Sequence, residues 1–297
     1  MRLKHKRMRR IRPSTDEWVS FITKLLGILA VIFVVWSQNN LLLNKEYIYE
    51  VPNLSSEMTG YRIIHISDLC NTNINVYSSV RAEKPDIILI SGGYIDKKGN
   101  TDKSVEIVNS LCSIAPVYYI YNSEDKKYNL QDMLSSTEAT DITDKQIEIK
   151  DNVDIVGLSL CNINDDKEIK RRIYEIAGKD ADKTHIAIVD STDNIESVSN
   201  TNIDILFTGD CNNKTEYKRG ASAVNKTQLF ISAGIGNSKD SPKFRVFRYP
   251  ELQTVVLSDG TITKKPWLEK MLDKLFNSNI STVFENTKLK EYREIYD

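Results

Sequence analysis

The sequence predicts an α/β domain of layered sheets and helices, preceded by one transmembrane helix. Three observations favour this fold class. Eight short apolar runs rich in Ile and Val have the length of strands. Stretches with helical spacing lie between several of them, an alternation that is typical of layered α/β domains. Near the N-terminus, one continuous apolar run is long enough to cross a bilayer.

The first element is a basic arm at residues 1–17. Residues 1–13 contain seven Arg and Lys side chains and no acid, whereas the whole chain has a formal net charge of −1. Removing that +7 leaves −8 for the remainder. An acidic body makes general nucleic-acid binding unfavourable, so we expect no nucleic-acid partner.

The second element is "WVSFITKLLGILAVIFVVW", which predicts a transmembrane anchor over residues 18–38. A helix of this length spans about 28 Å, close to the hydrocarbon thickness of a membrane. Trp18 and Trp36 suit the two interfaces, and Lys24 lies near one end, where its stem can snorkel. The basic arm predicts a cytoplasmic N-terminus and a main domain outside the cytoplasm, held at the cell membrane by a single span.

A cleaved signal peptide and a buried core helix are the alternatives for this run. The sequence "VVWSQNN" that follows lacks a small-x-small cleavage site. Polar flanks and an uninterrupted apolar stretch argue against a core helix. An uncleaved signal anchor is therefore the preferred interpretation.

The main domain is predicted over residues 45–258, beginning with a strand in "NKEYIYEVPNL". The further strands are predicted at 61–67, 86–91, 117–121, 153–158, 185–189, 204–208, 228–233 and 252–257, and the helices at 76–84, 102–112 and 166–178. Most strand runs are continuously apolar, which indicates sheets covered on both faces.

A C-terminal helical extension is predicted over residues 259–297. Six apolar side chains at helical spacing form one face: Trp267, Leu268, Met271, Leu272, Leu275 and Phe276. Packing of this face against the domain is preferred. Lying on the membrane surface is the alternative, weakened by the many acids among the lysines.

Polar segments follow the strands, where α/β proteins normally build a site: "DLCNTN", "GGYID", "NSED", "DSTD" and "GDCNNK". The strand "YRIIHIS" presents Asp68 and Cys70 beyond its end, a placement that suits metal ligands. The four cysteines Cys70, Cys112, Cys161 and Cys211 form no CxxC pair. Disulfides outside the cytoplasm and small buried thiols are equally compatible with their spacing.

Taken in order, these loops resemble the calcineurin-like metallophosphoesterases, in particular their membrane-anchored bacterial branch. The resemblance covers roughly residues 45–258, and it implies a layered αββα sandwich of mixed sheets flanked by helices. That family ends its first strand in Asp-x-His, where this chain has Asp68-Leu69-Cys70. Its second motif appears as "KPDIILISGGYID", with Gly93 at the bridging aspartate and Asp96 at the later acid.

The remaining motifs of that family are also altered. In "VYYIYNSED", Ser123 stands at the expected asparagine and Glu124 at the catalytic histidine. Asp190 replaces a metal-binding histidine after a later strand. The last motif is "GDCNNK", with Asp210 and Asn212 at the two histidines. The stretch "SAGIGNSKDSPKFRVFRYPELQTVVL" follows the closing segment of the family.

These replacements imply that the catalytic positions Cys70, Gly93, Ser123 and Glu124 are degenerate, and no catalytic residue is expected. Two-metal phosphoester cleavage needs a carboxylate between two cations about 3.5–4 Å apart, and a glycine cannot supply it. Glu124 would need a strongly raised pKa to act as a general acid. The histidines do not compensate, because His5 lies in the arm and the other two fall inside predicted strands.

No cofactor is the first expectation, and a weak cation site is the alternative. If the loops converge as in the family, Asp68, Glu124, Asp190 and Asp210 crowd one mouth with Asn212 nearby, and Asp125 joins them. Such oxygen ligands suit Ca²⁺ or Mg²⁺, unless the acids are splayed apart in solvent. Cys70 would alternatively bind a soft metal, or form a disulfide with Cys211 across the site.

Three functions follow from this sequence. The first is a membrane-anchored pseudoenzyme on a hydrolase fold, with a binding or regulatory role toward an unknown ligand or protein of the bacterial envelope. The second is an active phosphoesterase or phosphodiesterase with an altered, oxygen-rich site for a divalent metal pair. It rests on fold-level resemblance alone. The third is a purely structural envelope component, which sequence does not separate from the first.

Overall fold

The computed structural model describes residues 15–52, 54–121, 125–128, 130–150, 152–160, 163–180, 182–210, 215–237, 245 and 248–262. Its helices are α1 (Thr15–Asn40), α2 (Val76–Glu83), α3 (Asp102–Cys112), α4 (Leu130–Ser135), α5 (Asp166–Ala177) and α6 (Ile195–Ser199), with a 3-10 turn at Asp125–Tyr128. Its strands are β1 (Leu43–Glu50), β2 (Arg62–Ile66), β3 (Ile87–Ile90), β4 (Val117–Tyr119), β5 (Thr140–Asp141), β6 (Lys145–Lys150), β7 (Val153–Leu158), β8 (Thr184–Val189), β9 (Ile205–Gly209), β10 (Gly220–Val224), β11 (Thr227–Ser232) and β12 (Glu251–Ser258).

Helix α1 is apolar and exposed along most of its length, as the sequence predicts. The segment Trp18–Asn40 is long and apolar enough to cross a membrane. The helix ends where side-chain amides replace the missing backbone donors: Asn39 Nδ2 donates to Val35 O at 2.7 Å, and Asn40 Nδ2 donates to Trp36 O at 2.8 Å. The chain then enters β1 at Leu43, close to the start expected for the main domain.

Two mixed six-stranded sheets form the body of the protein. The first has the order β1-β12-β2-β3-β4-β5, in which β12 runs antiparallel to β2 while β2, β3, β4 and β5 run parallel. The second has the order β10-β11-β9-β8-β7-β6, with a parallel centre and antiparallel edge strands. The predicted mixed sheets are therefore confirmed. The family-specific fold stays a prediction.

Three apolar cores hold the layers together, with the two sheets in the middle and the helices on the outer faces. The central core joins the inner faces of both sheets, and Phe207 of β9 stacks on Phe230 of β11 at 5.2 Å between ring centroids. A second core packs the first sheet against α2, α3 and α4, and a third packs the second sheet against α5 and α6. Each fully buried Ile, Leu or Phe side chain stabilises the fold by about 1.5–3 kcal/mol.

The structure confirms the predicted strands and the three predicted helices, most of them within two residues of the expected ends. Every residue of β7 and β12 is buried, in agreement with sheets covered on both faces. Strands β5, β6 and β10 were missed, as were α4 and α6. Strand β6, "KQIEIK", is half exposed, and β10, "GASAV", is built from small residues that give a weak pattern. The predicted extension lies outside the described residues from 263 onward, and the arm lies outside them up to residue 14.

Candidate functional site

The ends of strands from both sheets meet at the side chain of Asp68, which follows β2. Three glycines surround its carboxylate: Gly93 in the loop after β3, Gly209 at the end of β9 and Gly234 in the turn after β11. A Cβ atom placed on Gly93 would lie 2.6 Å from Asp68 Oδ1, and one on Gly209 would lie 2.5 Å from Asp68 Oδ2. A Cβ on Gly234 would lie 2.8 Å from Asp68 Cβ. We call Gly93, Gly209 and Gly234 the glycine cup.

The loop that carries Asp68 has an unusual backbone. Asp68, Cys70 and Asn71 have φ values of 51°, 45° and 52°, a left-handed conformation that side chains other than Asn and Asp rarely adopt. Cys70 is the residue of the three for which this conformation is unusual, and there it costs on the order of 1–3 kcal/mol and persists only where its surroundings impose it. Strained backbone of this kind clusters at functional sites, which makes the loop a candidate independently of any motif.

Backbone hydrogen bonds hold this loop on two sides. On the β3 side, Asp68 N donates to Gly92 O at 3.0 Å and Cys70 N donates to Gly93 O at 2.8 Å. On the other side, Gly236 N donates to Asp68 O at 2.7 Å. Asp68 is thus fixed between the loop after β3 and the turn after β11.

The glycine cup gives a structural reason for a glycine at position 93. The motif comparison treats this position as a lost bridging aspartate. In the structure, the volume that a side chain on Gly93 would occupy is filled by Asp68, and Gly93 itself has a φ of +75°. The glycine is therefore required by the packing of Asp68, and the site is built around one carboxylate at this point.

Asp210, the residue after Gly209, is buried and forms an ion pair. Arg219 Nε lies 3.3 Å from Asp210 Oδ2, and the arginine side chain is 22% exposed. The backbone of Asp210 is fixed as well, since its N–H donates to Ser232 O at 2.9 Å. A cation at this carboxylate would have to compete with the guanidinium of Arg219, a partner that the sequence prediction missed. Arg219 lies just before β10, a strand whose small residues give only a weak pattern in the sequence.

Asp190 follows β8 and ties down the end of the neighbouring strand β7. Its carboxylate accepts from Ser159 Oγ at 3.0 Å and from Leu160 N at 2.8 Å. Asp125, in the 3-10 turn, is buried and accepts from Tyr94 N at 3.4 Å. These acids are engaged with loop backbone.

The other predicted site residues, Ser123, Glu124 and Asn212, lie outside the described residues. Within the described part of the chain, no group of three or more His, Cys, Asp or Glu side chains is arranged to hold a metal ion. The predicted cation site is thus neither assembled nor tested, and it stays a prediction. Cys70 is buried beside the site, whereas Cys161 and Cys211 are outside the described residues, so the cysteine pairings stay predictions too.

Histidines His65 and His185 lie inside strands β2 and β8 and are fully buried, as the sequence predicts. His65 Nδ1 donates to Gln253 Oε1 at 2.9 Å, and its Nε2 accepts from Ser91 Oγ at 2.9 Å. Gln253 Nε2 donates to Ile231 O, which fixes the orientation of that amide. His65 therefore joins the two sheets through a buried polar network.

The buried position of His65 predicts a loss of stability in mild acid. Burial lowers the pKa of His65 from 6.5 to about 4, although the hydrogen bond with Gln253 opposes this effect. Between these two values the unfolded chain binds the proton and the folded chain does not, so stability present above pH 6.5 is lost as the pH falls toward 4. We expect a contribution of about 2–3 kcal/mol to disappear between pH 7.5 and pH 4.5.

Chemical denaturation of the full chain in detergent at these two pH values measures the loss. The variant His65→Gln cannot take up the proton and is expected to lose correspondingly less stability over the same interval. Equal losses in the wild type and the variant would show that other groups cause the pH dependence.

Comparison with known proteins does not identify a family. No family model and no curated protein matches the sequence. One solved crystal structure resembles the chain with a TM-score of 0.42 and 9% sequence identity, over 59% of this chain and 90% of that one. A likeness at this level carries no functional argument. Membership of the calcineurin-like metallophosphoesterases therefore stays a prediction that rests on the resemblance of the motifs alone.

Proposed function

We propose that this chain is a membrane-anchored pseudoenzyme on a metallophosphoesterase-like scaffold, with a binding or regulatory role at the cell envelope. The observation that carries the proposal is the glycine cup around Asp68. A bridging carboxylate is what holds two cations together against their mutual repulsion. At the corresponding position this chain has Gly93, and Asp68 occupies the space into which a side chain there would extend.

The charges around the cup support the same conclusion. Asp210 is paired with Arg219, which places a positive charge where a metal would need a negative ligand. Asp190 is held by the loop after β7. Among the described residues, Asp68 is the carboxylate that the glycine cup surrounds.

Membrane anchoring is part of this proposal. Helix α1 exposes its apolar side chains along the span Trp18–Asn40, and the seven positive charges of the arm precede it. The positive-inside rule then places the arm in the cytoplasm and the α/β domain outside it. Protease accessibility of the domain in intact cells, compared with lysed cells, tests this orientation.

A second candidate, an active phosphoesterase with an oxygen-rich metal site, is favoured by two observations. Asp68 lies in the loop that holds Cys70 in a strained, left-handed backbone conformation. Ser67 Oγ, on the preceding residue, and Thr208 Oγ1, on β9, are buried without a hydrogen-bond partner in the described part of the chain. Buried hydroxyl oxygens next to a carboxylate suit a hard cation such as Ca²⁺ or Mg²⁺. Under this candidate, either ion raises the melting temperature of the protein.

Hydrolysis assays separate the two candidates. We expect the full chain in detergent micelles to show no turnover of phosphomonoesters or phosphodiesters with Mn²⁺, Mg²⁺ or Ca²⁺ above the level of its Asp68→Asn variant. The matched control is Asp132→Asn, which removes an exposed acid on α4. Metal-dependent turnover that Asp68→Asn abolishes and Asp132→Asn retains would establish the enzyme and overturn the pseudoenzyme.

A further inference from the structure

A cavity of about 820 Å³ opens between the end of α1 and the loops that follow β2 and β3. Its wall includes Asn39 and Asn40 from α1, the strained loop from Cys70 onward, the segment after Asp96 and the turn at Gly236. We call it the anchor cavity. Its volume falls within the range of about 300–1,000 Å³ that is usual for small-ligand sites.

The lining of the anchor cavity is polar and cationic. Lys97, Lys98 and Lys103 line it together with the acids Asp96 and Asp102, on a body that is otherwise negatively charged. Asparagine amides cover much of the remaining wall. Lysine ammonium groups bind phosphate as point charges, and asparagine amides donate hydrogen bonds to oxygens without adding charge.

Asp96, one of the two acids in this lining, already accepts hydrogen bonds from several donors. Asp96 accepts from Lys98 N at 2.8 Å, from Asn100 N at 2.9 Å and from Asn71 Nδ2 at 3.3 Å. Burial is the largest single effect and raises the pKa of Asp96, but these hydrogen bonds together lower that pKa below its ordinary value. The carboxylate thus orders the loop that presents the lysines, and it is turned toward these donors.

The position of the anchor cavity relative to α1 limits which class of ligand can reach it. Arg245 N donates to Asn39 Oδ1 at 2.8 Å, and Asn39 Nδ2 donates to Arg245 O at 3.2 Å, so the helix end is fixed to the wall. Asn39 and Asn40 come three and four residues after Trp36, about 5 Å further along the helix axis. If Trp36 marks the membrane interface, the cavity opens at the level of the lipid headgroups.

We propose that the anchor cavity binds the phosphate-bearing headgroup of an anionic lipid. Lys97, Lys98 and Lys103 neutralise the phosphate, and the amides of Asn73 and Asn75 on the wall donate to oxygens of the headgroup. The acyl chains remain in the bilayer, because the lining is more polar than apolar. The proposal rests on the membrane anchoring of α1, and it adds a ligand class that the pseudoenzyme assignment leaves open.

Binding of short-chain lipids to the full chain in non-ionic detergent, followed by native mass spectrometry or calorimetry, tests the proposal. The probes are dihexanoyl phosphatidylglycerol, dihexanoyl phosphatidylcholine and inorganic phosphate. We expect the anionic lipid to bind at least tenfold more tightly than either of the others. We expect a variant that combines Lys97→Gln, Lys98→Gln and Lys103→Gln to lose this preference.

The matched control carries Lys167→Gln, Lys179→Gln and Lys226→Gln, which remove the same charge from exposed positions elsewhere. It should keep the lipid preference. If both triple variants lose the lipid preference equally, net charge explains the binding, and the proposed site is wrong. Inorganic phosphate binding as tightly as the anionic lipid would make a free phosphate the ligand and overturn the lipid assignment. Neither result depends on phosphoester turnover, so this proposal and the pseudoenzyme assignment fail independently.

Discussion

Replacing Gly93 with alanine is expected to lower the free energy of unfolding by about 2–5 kcal/mol. Two costs add. A left-handed backbone costs a residue with a Cβ about 1–2 kcal/mol, and Gly93 has a φ of +75°. The new Cβ would also lie 2.6 Å from Asp68 Oδ1 and 2.8 Å from Asp68 Cα, and overpacking of this kind costs about 1–3 kcal/mol more. Chemical denaturation of the full chain in detergent measures the sum.

Gly60 provides a control for the backbone cost. Its φ is +92°, and a Cβ placed on it would meet Ile262 Cδ1 at 3.9 Å, an ordinary van der Waals contact. Gly60→Ala should therefore lose only about 1–2 kcal/mol. If the two alanine variants lose equal stability, the glycine cup does not confine Asp68. Combining Gly93→Ala with Asp68→Ala should recover part of the loss, because the carboxylate that the new Cβ meets is then absent.

The same geometry opposes an acidic side chain at position 93. Asp68 and a side chain at position 93 compete for one volume, and Gly209 and Gly234 limit how far Asp68 can move. The left-handed loop at Asp68 and Cys70 sets this arrangement. The glycine at position 93 and the position of Asp68 thus depend on each other.

The sequence predicted the strands because their burial leaves a local pattern. Strand β7 is buried at every residue and was predicted with its observed ends, whereas the half-exposed strand β6 was missed. Asp68 and Gly93 lie in contact, while the function of the site stays a prediction. The remaining features depend on residues distant in the chain. The pairing of Asp210 with Arg219 and the left-handed backbone at Cys70 have no signature in local spacing.

The attachment of α1 to the domain depends on a similarly distant contact, centred on Arg245. This side chain is 2% exposed. Its Nη1 donates to Gly234 O at 2.9 Å and to Tyr249 O at 3.2 Å, its Nε donates to Asn237 Oδ1 at 3.0 Å, and its Nη2 donates to Gly236 O. The guanidinium thereby orders the turn that flanks Asp68, while its backbone pairs with α1.

The substitution Arg245→Met is therefore expected to lower the free energy of unfolding by about 3–5 kcal/mol, because it leaves several buried carbonyls without a donor. Denaturation of the full chain in detergent measures the loss. The matched control is Arg171→Met on α5, which breaks exposed pairs with Glu168 and Glu175 and should cost no more than about 1 kcal/mol.

Arg245→Lys separates charge from geometry in the same experiment. An ammonium keeps the charge but cannot reach carbonyls spread around a planar guanidinium, so most of the loss should remain. If Arg245→Met and Arg171→Met lose the same free energy of unfolding, the side chain of Arg245 does not stabilise the turn at Gly236. If Arg245→Lys is as stable as the wild type, a positive charge is sufficient. Because the turn at Gly236 also lines the anchor cavity, Arg245 connects the end of α1, the wall of the anchor cavity and the loop of Asp68.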